Sequence, residues 1–281
     1  MRTVWPRSEH PQMRTGRAWR LSGFGQSSSA RGSGVRYVCF CRPLNTFLCG
    51  DAVEIMRSLP DGSIDLIVTS PPYNLKNSTG NGMKTGGRKW ENPGLREGYT
   101  HHDDNMPHDE YVAWQRSALA EMLRLIPDDG AIFYNHKWRV QGGLLQDRAD
   151  IMAGFPVRQI IIWKRSGGIN FNPGYFVPTY EVIYLIAKPG FKLIPGENRH
   201  GDVWAITQDR GNPHPASFPV ALIDRILGAT TGQVVLDPFM GSGTTAISAL
   251  KNKRDYIGID LSPDYVAMAE SRAAEWHHDN G

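Results

Sequence analysis

The segment whose residue types point most directly to chemistry is 69–74, Thr-Ser-Pro-Pro-Tyr-Asn, which follows an apolar run. Its consecutive prolines, Pro71 and Pro72, fix the backbone angle φ and remove two backbone donors, so the carbonyl oxygens of this stiff loop can accept hydrogen bonds from a ligand amine. Tyr73 adds a flat face on which a nucleobase can stack. A proline-stiffened turn around a core tyrosine is the alternative interpretation. The candidate catalytic residues are Ser70, Pro71, Pro72 and Tyr73.

A second segment, residues 234–245, is an apolar stretch that enters a glycine-rich turn and then a helical pattern. Gly241 and Gly243 lack the Cβ atoms that would hold the backbone away from a nucleotide-like ligand. About twenty residues after Gly241 another apolar run ends in Asp260, where an acid can accept hydrogen bonds from ribose hydroxyls. A tight turn explains the glycines alone, but the combination indicates a nucleoside site. Ala246 replaces the third glycine of the dinucleotide fingerprint, so a pyrophosphate ligand is less favoured.

Alternating apolar and amphipathic stretches predict the elements that carry these two loops. The order of strand, helix and strand indicates an α/β protein with a doubly wound, mostly parallel, Rossmann-like sheet covered on both faces. Ligands of such sheets bind at the carboxyl ends of the strands, where both loops would lie. The predicted strands are 46–49, 64–69, 131–134, 159–163, 180–186, 234–237 and 256–260, and the predicted helices are 52–58, 111–126, 219–227, 244–250 and one from 263.

The chain divides into a basic tail, residues 1–36, and a body, residues 37–281. The tail holds seven arginines and one acid and shows no periodicity, so we expect it to be disordered. Its charge of +6 leaves −3 for the body out of a total of +3, and bulk charge therefore gives no argument that the body binds nucleic acid. The tail could contact DNA phosphates, or it could be an unstructured extension or the product of a translation start set too early.

Several function classes are disfavoured by composition. We expect a cytoplasmic protein, because no apolar run is long enough to span a membrane and the N-terminus lacks the apolar core of a secretory signal. Cys39, Cys41 and Cys49 lack zinc-like spacing. The histidines and aspartates within residues 101–108 fit an irregular polar loop better than a metal site, so no metal is predicted.

Residues 70–73 (Ser-Pro-Pro-Tyr) and 237–245 (Asp-Pro-Phe-Met-Gly-Ser-Gly-Thr-Thr) together resemble the motifs of amino-methylating DNA methyltransferases, which act on cytosine N4 or adenine N6. The resemblance extends from about residue 44 to about residue 275. It implies an S-adenosylmethionine-dependent methyltransferase fold with S-adenosyl-L-methionine as cofactor. It also implies that Asp51 binds the adenine, that Asp260 binds the ribose and that residues 214–219 close over the methionine end. The implied cofactor-binding residues are Asp51, His214, Phe218, Pro219, Asp237, Pro238, Phe239, Gly241, Ser242, Gly243, Thr244 and Asp260.

The resemblance also implies a reaction. The Ser70 hydroxyl oxygen and the Pro71 carbonyl would accept hydrogen bonds from an exocyclic amine and aim its lone pair at the sulfonium methyl group, so that transfer is direct and in line. No cysteine follows a proline, as the nucleophile of cytosine C5 enzymes does, so C5 methylation is disfavoured. Serine at the first position of the motif favours cytosine N4 over adenine N6.

The order of the motifs is like that of the β group of these enzymes. The family implies double-stranded DNA as substrate, and the β group commonly forms homodimers. Association with the family implies a cognate restriction endonuclease, but a solitary methyltransferase fits the sequence equally well. Two regions are expected to contact DNA: the loop 74–105, which leaves the catalytic motif directly, and the region 165–213, where the family keeps its target recognition region. The candidate DNA-binding residues are Lys76, Lys84, Arg88 and Lys89 in the first region and Arg165, Arg199 and Arg210 in the second.

Two other classes of function remain open. Motifs of the Asn-Pro-Pro-Tyr kind also serve methylation of glutamine amides in proteins, so a protein or RNA amine could be the substrate. Those enzymes place the cofactor motif first, whereas this chain places it last. A non-enzymatic DNA-binding module is the third class, but it would need neither the two glycines nor the two acids of the predicted cofactor site.

Overall fold

A computed structural model describes residues 44–74, 105–141, 143–165, 173–209 and 218–280. These residues belong to one unit, residues 40–281. Several sequence predictions lie outside the described residues, namely the disordered tail 1–36, most of the loop 74–105 with Lys76, Lys84, Arg88 and Lys89, and the residues Arg210 and His214.

Ten strands occur in the described part of the chain. They are β1 (Thr46–Cys49), β2 (Leu66–Thr69), β3 (Ala131–His136), β4 (Arg139–Gln141), β5 (Leu144–Gln146), β6 (Val157–Lys164), β7 (Tyr180–Ala187), β8 (Val203–Ala205), β9 (Val234–Asp237) and β10 (Asp255–Asp260). Eight of them form one sheet in the order β1-β10-β9-β2-β3-β7-β6-β8, and β4 and β5 form a separate antiparallel hairpin.

Helices cover both faces of the large sheet. They are α1 (Ala52–Arg57), α2 (His108–Leu125), α3 (Ala149–Met152), α4 (Val220–Gly228), α5 (Thr244–Lys251) and α6 (Pro263–Asn280). Helices α1 to α3 contribute Met56, Leu119 and Ile151 to one buried cluster, while α4 and α5 contribute Ile223 and Ala249 to another. This arrangement confirms the predicted doubly wound α/β fold.

Strand β2 shows why the continuous apolar runs of this chain indicate buried strands. All four of its residues are buried. Leu66 faces the cluster of α4 and α5, and its neighbour Ile67 faces the cluster of α1 to α3. Because successive side chains of a strand point to opposite faces, a sheet covered on both sides requires a continuous apolar run instead of an alternating one.

Strand direction determines which residues meet at the candidate site. Strands β1, β10, β9, β2 and β3 are parallel, so their carboxyl ends lie along one edge of the sheet. Strand β7 is antiparallel to β3, with Val182 opposite His136, so β7 begins where β3 ends. The first residues of β7 therefore reach the same edge as the loops that follow β2 and β9.

The structure adds details that the sequence analysis did not predict. The β4–β5 hairpin, the short helix α3 and the edge strand β8 were not expected. Helix α2 begins at His108, before the predicted start at Tyr111. Asp109 and Glu110 in its first turn stabilise this start, because their negative charges interact favourably with the positive end of the helix dipole. Among the described residues, no helix has both the length and the apolar character needed to cross a bilayer.

Candidate active site

The loop that follows β2 is joined to the loop that follows β9 by a buried side-chain bridge. The Thr69 hydroxyl donates a hydrogen bond to Asp237 Oδ1 at 2.7 Å, and the Thr245 hydroxyl donates to Asp237 Oδ2 at 2.6 Å. The Phe239 amide also donates to Asp237 Oδ1, at 3.1 Å. One carboxylate therefore fixes the last residue of β2, the start of α5 and the turn between β9 and α5.

Burial of this bridge has an electrostatic consequence. Asp237 is only 2% exposed, and desolvation raises the pKa of its carboxyl group to about 6 despite the donors from Thr245 and Thr69. Asp237 was predicted from the sequence to contact the cofactor. In the structure both of its oxygens are engaged within the protein, so the contact with cofactor stays a prediction, while the bridge between the two loops is observed.

The two proline carbonyls of the 69–74 loop differ in their surroundings. Pro72 O accepts hydrogen bonds from the Tyr111 hydroxyl at 2.8 Å and from Gln115 Nε2 at 3.1 Å. Both donors come from helix α2, which anchors this end of the loop to the core. Pro71 O has no hydrogen-bond donor among the described residues. Pro71 is buried, and of the two carbonyl oxygens it carries the one that is left unpaired in this part of the structure.

The Ser70 hydroxyl belongs to a network of polar side chains. Ser70 Oγ lies 2.6 Å from the Tyr73 hydroxyl oxygen and 3.3 Å from Asn135 Nδ2. The Tyr73 hydroxyl donates to Glu181 Oε2 at 3.1 Å, and Asn135 Nδ2 donates both to the Tyr73 oxygen and to Glu181 Oε2, at 2.8 Å each. Strands β2, β3 and β7 each bring one part of this network to the edge of the sheet.

Glu181 also forms an ion pair. Its Oε1 lies 3.1 Å from Arg165 Nη1, and the Arg165 side chain is only 15% exposed. Arg165 was predicted to contact DNA, and that role stays a prediction, since the observed partner of its guanidinium is Glu181. Asn135 and Glu181 were not predicted from the sequence. The available signal was a polar residue at the end of an otherwise apolar strand, as in 131–136 (Ala-Ile-Phe-Tyr-Asn-His).

Tyr73 is turned into the protein. It is 6% exposed, and its ring stacks on His136 with centroids 4.8 Å apart. Burial and the nearby Arg148 guanidinium lower the pKa of His136 to about 3, so this ring is neutral near neutral pH. Stacking of a nucleobase on Tyr73 stays a prediction.

The glycine-rich turn lies close to the end of β10. Gly241 N donates to Asp260 Oδ2 at 2.9 Å. Gly243 has a φ of +78°, and a Cβ atom there would lie 2.7 Å from Ala269 Cβ of α6, so a glycine is required at this position. Arg272 of α6 donates from Nη1 to Ser242 Oγ at 3.0 Å and thereby holds the tip of the turn. Arg272 is another residue that the sequence analysis missed.

The predicted acids lie side by side. Gly50 N donates to Asp260 O at 2.9 Å. Asp51, just after β1, and Asp260, the last residue of β10, therefore lie at neighbouring strand ends. Asp51 Oδ1 caps α1 by accepting from Glu54 N at 2.9 Å, and no donor among the described residues contacts its other oxygen. Thr244 Oγ1 in the glycine-rich turn is buried without a hydrogen-bond partner among the described residues. An open acceptor and an unsatisfied hydroxyl fit a site that receives a polar ligand such as a nucleoside.

The remaining predicted residues border this turn or lie elsewhere. Phe239 packs edge-on against Trp114, with ring centroids 5.5 Å apart. Phe218 is buried, and Pro219 occupies the N-cap position of α4. Arg199 is exposed in a 3₁₀ turn. The predicted recognition region 165–213 includes β7, a strand within the central sheet.

The chain resembles known proteins over most of its length. It matches the DNA methylase family of N6 and N4 methyltransferases over residues 64–271. The type II methyltransferase M.BglII of Bacillus subtilis is 27% identical over 268 residues, covering 80% of this chain and 68% of that protein. The type II methyltransferase M.HpaI of Haemophilus parainfluenzae is 29% identical over 254 residues, covering 80% of this chain and 73% of that protein.

Solved structures agree with this result. A DNA modification methylase of Thermus thermophilus, crystallised with S-adenosyl-L-methionine, is 26% identical with a TM-score of 0.58, covering 82% of this chain and 93% of that one. The cytosine-N4-specific PvuII DNA methyltransferase shares the fold at 20% identity, with a TM-score of 0.62 and coverage of 83% and 90%. The chain therefore belongs to the DNA methylase family of N6 and N4 methyltransferases, and it is a DNA methyltransferase.

Proposed function

We propose that this enzyme methylates N4 of a flipped-out cytosine in double-stranded DNA, with adenine N6 as the alternative target. The observation that carries the proposal is a pair of open acceptors in the 69–74 loop. Pro72 O is occupied by its two donors from α2, whereas Pro71 O has no donor among the described residues and Ser70 Oγ keeps an unused lone pair. An exocyclic amine carries two N–H donors, which match two acceptors.

S-adenosyl-L-methionine is the cofactor of this family, and when bound it supplies an electrophilic methyl group on a sulfonium. The chain's own residues fit this group. The unengaged oxygen of Asp51 can accept from the adenine amine, and the Asp260 carboxylate can accept from ribose hydroxyls. The glycine-rich turn allows the ligand to approach the backbone. His214, which lies outside the described residues, keeps its assignment from the family motif.

The catalytic task of the protein is mainly positioning. An exocyclic amine is a weak nucleophile because its lone pair is delocalised into the ring. Hydrogen bonds from the amine to Ser70 Oγ and Pro71 O favour a pyramidal nitrogen and direct its lone pair towards the methyl group. The anchoring of Pro72 O by α2, and of Thr69 by Asp237, keeps these acceptors in place before the substrate arrives.

The preference for cytosine rests on Ser70. Relatives with serine at this position of the motif lean towards cytosine N4, and those with aspartate lean towards adenine N6. The target base would leave the duplex and enter the site beside the loop 69–74 at the edge of the sheet, because an amine inside the duplex cannot reach this loop.

The contacts with DNA and with other proteins are part of the same proposal. The loop 74–105 and the exposed parts of region 165–213, such as Arg199, are assigned to DNA binding. Homodimer formation and a cognate restriction endonuclease follow from the motif order and from the relatives, which are named type II methyltransferases. Light scattering of the purified protein at two concentrations tests the dimer, and an endonuclease gene beside the methyltransferase gene would support the partnership.

The reaction is tested by incubating the purified protein with unmethylated double-stranded DNA and S-adenosyl-L-methionine, followed by nucleoside digestion and mass spectrometry. We expect N4-methylcytosine. N6-methyladenine would keep the mechanism and overturn the assignment of the base. Absence of any methylated nucleoside across a library of DNA sequences, with cofactor binding demonstrated by calorimetry, would favour an RNA or protein substrate.

A matched variant assigns the reaction to this site. Ser70→Ala removes one acceptor without disturbing the cofactor residues. It should lose most of the turnover while the cofactor affinity measured by calorimetry stays near that of the wild type. Equal losses of turnover and of cofactor affinity would contradict the role given to Ser70.

A further inference from the structure

The hydrogen bonds around Ser70 share a common direction. Glu181 as a carboxylate can only accept hydrogen bonds, and Arg165 can only donate them. The Tyr73 hydroxyl gives its single proton to Glu181 Oε2. The Tyr73 oxygen must therefore act as acceptor in its 2.6 Å contact with Ser70 Oγ, which makes Ser70 the donor in that contact.

The Asn135 amide reinforces this direction. Its Nδ2 lies 2.8 Å from Glu181 Oε2, 2.8 Å from the Tyr73 oxygen and 3.3 Å from Ser70 Oγ. The reverse orientation of the amide would place its oxygen against the carboxylate, so Nδ2 is the atom that faces the network. The Tyr73 oxygen then has a donor on each lone pair, and Ser70 has already committed its proton to Tyr73.

We propose that Glu181 is a positioning residue that orders these protons, so that Ser70 offers only a lone pair to the target base. This inference rests on the proposed function of the site. Glu181 does not touch the substrate and acts through the Tyr73 hydroxyl. Arg165 supports it by holding Oε1 at 3.1 Å, which fixes Oε2 as the oxygen that faces Tyr73.

The ordering gives the site a means of selecting its substrate. Cytosine and adenine carry an amine, which donates, where thymine and guanine carry a carbonyl oxygen, which accepts. A Ser70 that can only accept a hydrogen bond pairs with the amine and leaves the carbonyl without a partner. A site with buried polar groups rejects a ligand that fails to pair with them far more strongly than an apolar pocket rejects a small change of shape.

The test compares two substitutions of Glu181 that separate shape from proton order. Glu181→Gln keeps the shape, but Arg165 holds the amide oxygen, so the amide nitrogen faces Tyr73 and donates to it. The Tyr73 hydroxyl then has no acceptor at position 181, so the Ser70 proton is no longer held on Tyr73 and can turn towards the substrate. Glu181→Asp shortens the side chain but remains an acceptor. We expect kcat to fall by about 100-fold in Glu181→Gln and by less in Glu181→Asp.

Four controls accompany these variants. Cofactor affinity by calorimetry and the KM for DNA should stay near the wild-type values, because Glu181 is not among the residues assigned to either ligand. Melting temperatures establish that the variants are folded. Glu121→Gln removes the carboxylate of another arginine pair, the one with Arg124 at 2.8 Å, and it should leave kcat unchanged.

Tyr73→Phe provides an independent test, which also serves if a Glu181 variant fails to fold. It removes the hydroxyl through which Glu181 reaches Ser70 and keeps the ring. Alone it should lower kcat as Glu181→Gln does. Adding Glu181→Gln to Tyr73→Phe should cause no further loss, because the connection is already broken.

Two results would overturn the inference. One is a Glu181→Gln variant as active as Glu181→Asp or more active, since shape would then matter and proton order would not. The other is a double variant, Tyr73→Phe with Glu181→Gln, whose loss of kcat equals the product of the losses in the two single variants. A wild-type protein that methylates no DNA would instead count against the proposed function, so the two failures can be told apart.

Discussion

The buried carboxylate of Asp237 makes a quantitative prediction about stability. Its pKa in the folded protein is raised from 3.8 to about 6, mainly by desolvation. Between these values the folded state binds a proton that the unfolded state has lost, so the free energy of unfolding must fall as the pH rises through this window. The full effect is about 3 kcal/mol, of which about 2 kcal/mol falls between pH 4.5 and pH 7.5.

Asp237→Asn removes this titration. Urea unfolding of the cofactor-free protein, followed by tryptophan fluorescence, gives the free energy of unfolding at each pH. Loss of one acceptor oxygen shifts the stability of the variant by a constant, but the difference from wild type should change by about 2 kcal/mol in favour of the variant as the pH rises from about 4.5 to about 7.5. Asp264→Asn, at an exposed site on α6, should run parallel to wild type. Parallel profiles for wild type and Asp237→Asn would refute the assignment of the raised pKa to a buried bridge.

Three further predictions concern other parts of the molecule. Gly243→Ala should lower the free energy of unfolding by about 1–3 kcal/mol and weaken cofactor binding, because φ is +78° and the new Cβ would meet Ala269; thermal melting and calorimetry measure both. Tyr111→Phe should cost about 1 kcal/mol in urea unfolding and lower kcat, since Pro72 O loses one of its two anchors; unchanged turnover would show that the anchor is dispensable. Deletion of residues 1–34 should leave methylation largely intact, and a large loss would give the tail a role in DNA binding or folding.

The two motif loops were predictable because each is a local pattern. Residues 69–74 and 234–245 follow apolar strands, and parallel strands with crossover helices bring both loops to one edge of a sheet. The glycine at position 243 was also predictable from local sequence, because the turn itself requires a positive φ there. The element order, the fold class and the family could therefore be read from short segments.

The support of the Ser-Pro-Pro-Tyr loop could not be read in the same way. Glu181 reaches the loop only because β7 runs antiparallel to β3, and an apolar run does not encode its direction. The bridge between Thr69 and Asp237 joins residues 168 positions apart. The inward direction of the Tyr73 side chain depends on Asn135 and His136 of β3 and on Glu181 of β7, so it follows from tertiary packing.

The placement of β1 has a consequence for how the enzyme folds. In the sheet β1 lies at the edge, and β10 is its neighbour, with Thr46 opposite Ile257. The pairing closes a loop of about 210 residues, which is entropically costly and slow to form. Among the strands of the described residues β1 pairs only with β10, so during synthesis this pairing waits until β10 has left the ribosome. Asp51 follows β1 directly, so under the proposed function its part of the cofactor site is in place only after β10 has been made and has paired with β1.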